Sequence, residues 1–138
     1  MTDHSVRLLR PDGLVQSPAF SHVAVIPPGS TLVVVGGQNA VDAEGKLVGD
    51  DDLAAQVVKV FENLRVALAA AGAGLEHVVS WSIDAKEGTD AQVAFGAVAP
   101  MLAELPAPPT ITVRFVSDVG VPGALCELSA LAAIPPTG

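Results

Sequence analysis

Apolar and polar positions change their period along this chain, and the changes mark the elements. His22-Val23-Ala24-Val25-Ile26 and Thr31 through Val35 are short apolar runs separated by Pro27-Pro28-Gly29-Ser30. This pattern predicts two strands joined by a turn into a hairpin. Val6 to Leu9 adds an edge strand. Asp42-Ala43-Glu44-Gly45 reads as a further turn within an exposed excursion from Asn39 to Val48.

From Leu53 the period becomes helical. Leu53, Val57, Val60, Phe61, Leu64 and Leu68 form one apolar stripe. Asp50, Asp51 and Asp52 offer an N-cap and negative charge at its start, and Gly72 a C-terminal stop. Val78-Val79-Ser80-Trp81-Ser82-Ile83 then reads as a strand. Asp84 to Asp90 turns into a second, shorter helix with Val93, Ala97 and Met101 on its inner face, bent or ended by Pro100. Ile111 to Val116 and Ala124 to Ala133 complete the pattern as strands.

The order β-β-β-α-β-α-β-β describes a single α+β domain over residues 1–138, with two helices covering one face of the sheet. Leu32-Val33-Val34-Val35 is apolar at every position, and the last strand at most. Both faces of these strands therefore call for burial, and further copies of the chain are the simplest cover for the second face.

Composition changes this picture in a few places. Half of the 138 residues are hydrophobic and mean hydropathy is +0.50, which again favours apolar contact with another subunit. The formal net charge is -8, and the seven Lys and Arg residues are scattered, so nucleic acid and anionic membrane surfaces are disfavoured as partners. No apolar run reaches the roughly 20 residues of a membrane-spanning helix. Met1-Thr2-Asp3-His4-Ser5 lacks the pattern of a secretory leader, and Cys126 has no partner for an intrachain disulfide. Both points predict a cytoplasmic protein. His4, His22 and His77 are too widely spaced to predict a metal site.

Several landmarks recur in one order: Phe20, Gly36-Gly37-Gln38, Gly45, Gln56, Asn63, Ala71-Gly72, Val78-Val79, Pro106-Ala107 and Glu127. In these the chain resembles the RidA/YjgF (Rid, L-PSP) family of imine and enamine deaminases over nearly its whole length. The resemblance implies a chorismate-mutase-like fold and a homotrimer with small-molecule sites between subunits. It also implies hydrolysis of the C=N bond of 2-imino acids without metal or organic cofactor. In that scheme an arginine grips the substrate carboxylate, while a glutamate and backbone groups position water.

Carried over by position, Gly37 matches the glycine whose backbone faces substrate, and Glu127 matches the water-positioning glutamate. Gly36 stands where serine is common, Phe20 where tyrosine is frequent, and Thr110 where cysteine often occurs. Pro108 replaces the arginine. Proline has no donor, so the directional grip on a carboxylate is lost. Arg114 shares the parity of Pro108 on the same strand, but six residues of extended chain set it roughly 20 Å away.

Each candidate also has a structural reading. A carboxylate between Cys126 and Leu128 must be paired, hydrated or employed, so Glu127 is either a site residue or one side of a salt bridge to an arginine at a subunit contact. Gly36-Gly37 also fits an ordinary strand end or a bulge, Phe20 a core position, and Thr110 a residue chosen for its strand-compatible shape. Cys126 reads as a packed residue rather than a nucleophile. Nothing places Ser80, His77 and Asp84 together as a triad. Two functions follow: hydrolysis of a small imine, enamine or related metabolite other than an ordinary 2-imino acid, or a non-catalytic trimer that binds a metabolite or serves regulation. With Glu127 present and the arginine absent, a neutral or cationic ligand is easier to hold than an anion. The RNA cleavage historically linked to the family is disfavoured by the acidic balance.

Overall fold

The computed structural model describes residues 4–137; Met1-Thr2-Asp3, on which part of the leader reading rests, lie outside the described residues. Strands β1 (Arg7–Leu9), β2 (Val23–Val25) and β3 (Thr31–Gln38) precede helix α1 (Leu53–Ala70). A one-turn 3₁₀ helix at Leu75–His77 leads into β4 (Val78–Lys86), followed by α2 (Ala91–Leu102), β5 (Thr110–Val116) and β6 (Cys126–Ile134).

The main sheet has the order β3-β6-β4-β5. β6 pairs antiparallel with both β3 and β4, and β4 pairs parallel with β5, so α2 is the crossover that parallel neighbours require. The expected hairpin between the second and third strands does not form. β2 pairs with β1, aligning Arg7 with Val25, while β3 pairs with β6 in the other sheet. Pro27 and Pro28 supply no backbone donors and fix φ, so the chain breaks out of the ladder instead of folding back on it.

Asp52 caps α1, its Oδ1 accepting from the Ala55 N-H at 3.1 Å. The predicted stripe is buried from Val57 to Leu68 and partly buried at Leu53, and Gln56 is sealed within it. At the other end Gly72 adopts φ +76°, the left-handed conformation that ends helices. In α2 the inner face is Ala94, Ala97, Val98 and Met101, whereas Val93 is exposed. The helix packs mainly on α1, which turns its contact face away from Val93. It continues past Pro100 to Leu102.

Two further expectations change. The segment from Asn39 to Val48 is not wholly exposed: Ala40 is fully buried, and Asn63 Nδ2 donates to the Asn39 and Val41 carbonyls at 3.0 and 2.9 Å. β4 also runs on through Asp84 to Lys86, because β5 and β6 pair with it on both sides. Charged side chains are accommodated there because they fall on the open face of the sheet.

Alternate residues of each strand point to opposite faces of the sheet. Val35, Trp81, Leu128, Ala130 and Ala132 are buried beneath the helices. On the opposite face Leu32 and Val34 are exposed, Val34 to 81%. Within one chain, the second face of β3 is thus left uncovered.

Candidate functional site

The pairing of β3 with β6 breaks between Val35, opposite Ala130, and Gln38, opposite Leu128. Gly36 and Gly37 therefore share the single opposing residue Ser129, which makes Gly36-Gly37 a β-bulge. Neither glycine has positive φ. Position 37 is restricted by proximity instead: a β-carbon there would stand 2.8 Å from Glu127 Cδ and 3.1 Å from its Cγ. Gly36 has open space around it. The bulge thus brings the Gly37 backbone against the Glu127 carboxylate.

Glu127 alternates with the buried Cys126 and Leu128, and is itself only partly buried. The register aligns Glu127 with Asp84, and Asp84 with Arg114, in one row across three strands. Arg114 Nε donates to Asp84 Oδ1 at 3.0 Å, and its Nη2 donates to Ser82 Oγ at 3.0 Å. The guanidinium thus answers Asp84, and among the described residues of one chain Glu127 has no ion-pair partner. The row carries two carboxylates and one guanidinium, leaving a local excess of one negative charge.

Buried amides brace this corner. Gln56 Nε2 donates to the Asp50 and Gly123 carbonyls at 2.6 and 3.0 Å, while its Oε1 accepts from Leu125 N-H at 2.8 Å. Asn39 Nδ2 donates to the Cys126 carbonyl at 3.2 Å, and Asn39 is held in turn by Asn63. The loop before β6 and the segment after β3 are both tied to α1 this way, so Gly37 and Glu127 are placed by the helix. Gln56 and Asn63 were visible in the sequence as landmarks, although their partners were not.

The other candidates lie elsewhere. Thr110 is level with Ser80 and Leu131, four residues along from Glu127 and two strands across. That spacing sets the Cα atoms of Thr110 and Glu127 roughly 16 Å apart, at ~3.3 Å per residue and ~4.8 Å per strand. Thr110 Oγ1 donates to the Val79 carbonyl at 3.1 Å. Pro108 is buried, and its carbonyl accepts from Ser21 Oγ at 2.6 Å while Ser21 N-H bonds Pro109 O at 3.1 Å. Phe20 precedes this bridge and meets His22 edge-on, with ring centroids 5.3 Å apart. One chain therefore holds Gly36-Gly37-Glu127 apart from Pro108 and Thr110, with Phe20 beside the latter pair and also on an apolar cavity that reaches Glu127.

Burial raises the Cys126 thiol from 9.0 to about 11, so it rests protonated and unreactive. Ser80 and Asp84 lie four residues apart on β4, and His77 Nδ1 accepts from Gly74 N-H at 3.0 Å, so these residues do not form a triad. Among the described residues no group of His, Cys, Asp and Glu is arranged to hold a metal, and no helix is long and apolar enough to cross a membrane.

Comparison with known proteins gives this geometry a family. A Rid-family protein of unknown function, YyfB from Yersinia pestis, is 29% identical, with a TM-score of 0.82 over 94% of this chain and 98% of that one. Escherichia coli TdcF, solved with bound serine, is 19% identical, with a TM-score of 0.66 over 88% and 98%. The E. coli YjgF product is 21% identical, with a TM-score of 0.65 over 78% and 83%. The latter two likenesses establish the fold. No curated protein is significantly similar. The profile of the endoribonuclease L-PSP family matches residues 14–134, and the chain belongs to that family, also known as RidA/YjgF.

Proposed function

We propose that the protein is a cytoplasmic homotrimer that hydrolyses a small neutral or cationic imine or enamine in clefts between subunits. The observation that carries this reading is the contact of Glu127 with the Gly37 backbone at a braced bulge. The roughly 16 Å between Glu127 and Thr110 supports an inter-subunit cleft, in which the Gly37-Glu127 corner of one copy faces the Phe20-Pro108-Thr110 corner of the next. The uncovered apolar face of β3 supports association of copies.

In the proposed reaction Glu127 accepts a hydrogen bond from water and orients it toward the C=N carbon. Water adds as the nitrogen takes up a proton, giving a carbinolamine. Collapse of the carbinolamine breaks the C-N bond and releases ammonia and a carbonyl product. The Gly37 backbone orients the substrate beside the carboxylate. Buried Pro108 provides no cationic grip, and the row Glu127-Asp84-Arg114 is net negative, so a substrate without a carboxylate is favoured.

The test compares ammonia release from a neutral imine generated in situ with release from 2-iminopropanoate. The neutral substrate is expected to react faster, with Glu127→Gln lowering kcat/KM by about 10²- to 10⁴-fold. Robust 2-iminopropanoate hydrolysis abolished by Glu127→Ala overturns the specificity. Ligand-induced thermal stabilisation without product supports the non-catalytic reading instead.

A further inference from the structure

The chain has four Phe, one Trp and no Tyr. All of these aromatics, Phe20, Phe61, Trp81, Phe95 and Phe115, line one cavity of about 320 Å³ between the helices and the sheet. The cavity lies on the helix-covered face, opposite the row of Glu127, Asp84 and Arg114, although it reaches the β6 segment at Cys126 and Glu127. Its origin is steric. α2 presents Ala91 and Ala94 to this space and packs mainly against α1, so methyl groups stand where larger side chains would reach the sheet.

The ends of the cavity differ. Phe61 and Trp81 are buried and meet edge-on, with centroids 5.4 Å apart at 84°. Phe95 of α2 and Phe115 of β5 remain 43% and 52% exposed. β5 is an edge strand of the main sheet. The opening therefore lies between α2 and the sheet edge, with two half-exposed rings at its rim.

We infer that this cavity is a binding site for a small, neutral, apolar molecule of the size of one substituted aromatic ring. Volume and lining set the class. An apolar cavity of about 150 Å³ accommodates benzene, so this one has room for a ring with an alkyl substituent but not for a folded peptide element. Apart from Thr89 and, at the β6 end, Glu127, the lining is rings and aliphatic side chains, so a charge held among the rings would lose its hydration uncompensated. A bound ring would also cover Phe95 and Phe115, apolar surface that is otherwise left in water. The inference does not require the proposed hydrolysis, although Phe20 and Glu127 of the candidate site also border the cavity.

The single tryptophan supplies the assay, because its indole N-H gives one cross-peak in a ¹⁵N-¹H correlation spectrum of the full chain. Ethylbenzene is expected to shift that peak saturably. Phenylacetate and benzylammonium, close in shape but charged, should bind at least about tenfold more weakly. Ala94→Leu and, separately, Ala91→Leu fill the cavity from α2 and should each weaken ethylbenzene binding by about tenfold or more. Using both keeps the test intact if one variant misfolds, which loss of peak dispersion would reveal. The inference is overturned if ethylbenzene fails to saturate the shift, if phenylacetate binds as well, or if filled and folded variants bind normally. A structure of the assembled protein with a neighbouring copy's side chain in the cavity also overturns it.

Discussion

Gly37 faces Glu127 so closely that a β-carbon at position 37 would stand 2.8 Å from the carboxylate carbon. The strand can adopt its conformation with other residues, since φ at this position is not positive. What forbids them is the neighbouring side chain. Gly37→Ala is therefore expected to swing Glu127 away from the bulge and, under the proposed hydrolysis, to lower kcat by at least about tenfold through misplacement of water. Global stability should fall by only about 1–2 kcal/mol, because the carboxylate is partly exposed and can move. Kinetics and urea unfolding on the same preparation check both parts, and unchanged kcat would remove Gly37 from the site.

Gln56 gives a prediction about stability. Its amide makes three hydrogen bonds to backbone groups while fully buried. Gln56→Leu keeps most of the volume but strands two carbonyls and an N-H. The expected loss is about 2–4 kcal/mol, given ~1–3 kcal/mol for each buried polar group left unsatisfied and some relief by water. A denaturant midpoint shift with an unchanged slope is the diagnostic result.

Val34 tests association. Its 81% exposure on a strand whose other face is core is costly for a lone chain. Val34→Lys should leave the circular dichroism spectrum unchanged while converting the proposed trimer to monomer in sedimentation velocity. A monomeric parent protein would count against the inter-subunit cleft.

Cys126 makes stability pH-dependent at the alkaline end. Its thiol ionises near 9.0 when free and at about 11 when folded. Between those values the unfolded chain loses its proton first, so unfolding is favoured as pH rises. Stability should decline from about pH 9 and level off above about pH 11, by ~2–3 kcal/mol in all at 1.36 kcal/mol per unit. Cys126→Ala should flatten that part of the profile. At neutral pH the same thiol should resist iodoacetamide until the protein is unfolded.

The parts of this molecule readable in advance were those governed by local periodicity. The stripe of Val57, Val60, Phe61, Leu64 and Leu68 predicts α1 because a helix repeats its own faces, whatever packs on it. The pattern around Pro27-Pro28 predicts a hairpin that does not form, because alternation announces a strand without naming its partner. Val93 was misplaced for a related reason: in the alanine-rich α2, several faces look equally apolar until α1 selects one.

At the candidate site, Glu127 stood out in the sequence as a charge within an apolar run, and the family resemblance paired it with Gly37. Its row with Asp84 and Arg114 did not, because strand register joins residues up to forty-three positions apart through hydrogen bonds that leave no mark on neighbouring residues. The sequence by itself determined which segments become helix or strand and which charge is anomalous, since these depend on interactions within a few residues. Tertiary structure alone decided which strands meet, which residues share a row, and where the aromatic rings enclose a cavity, since these depend on how distant surfaces come to exclude water.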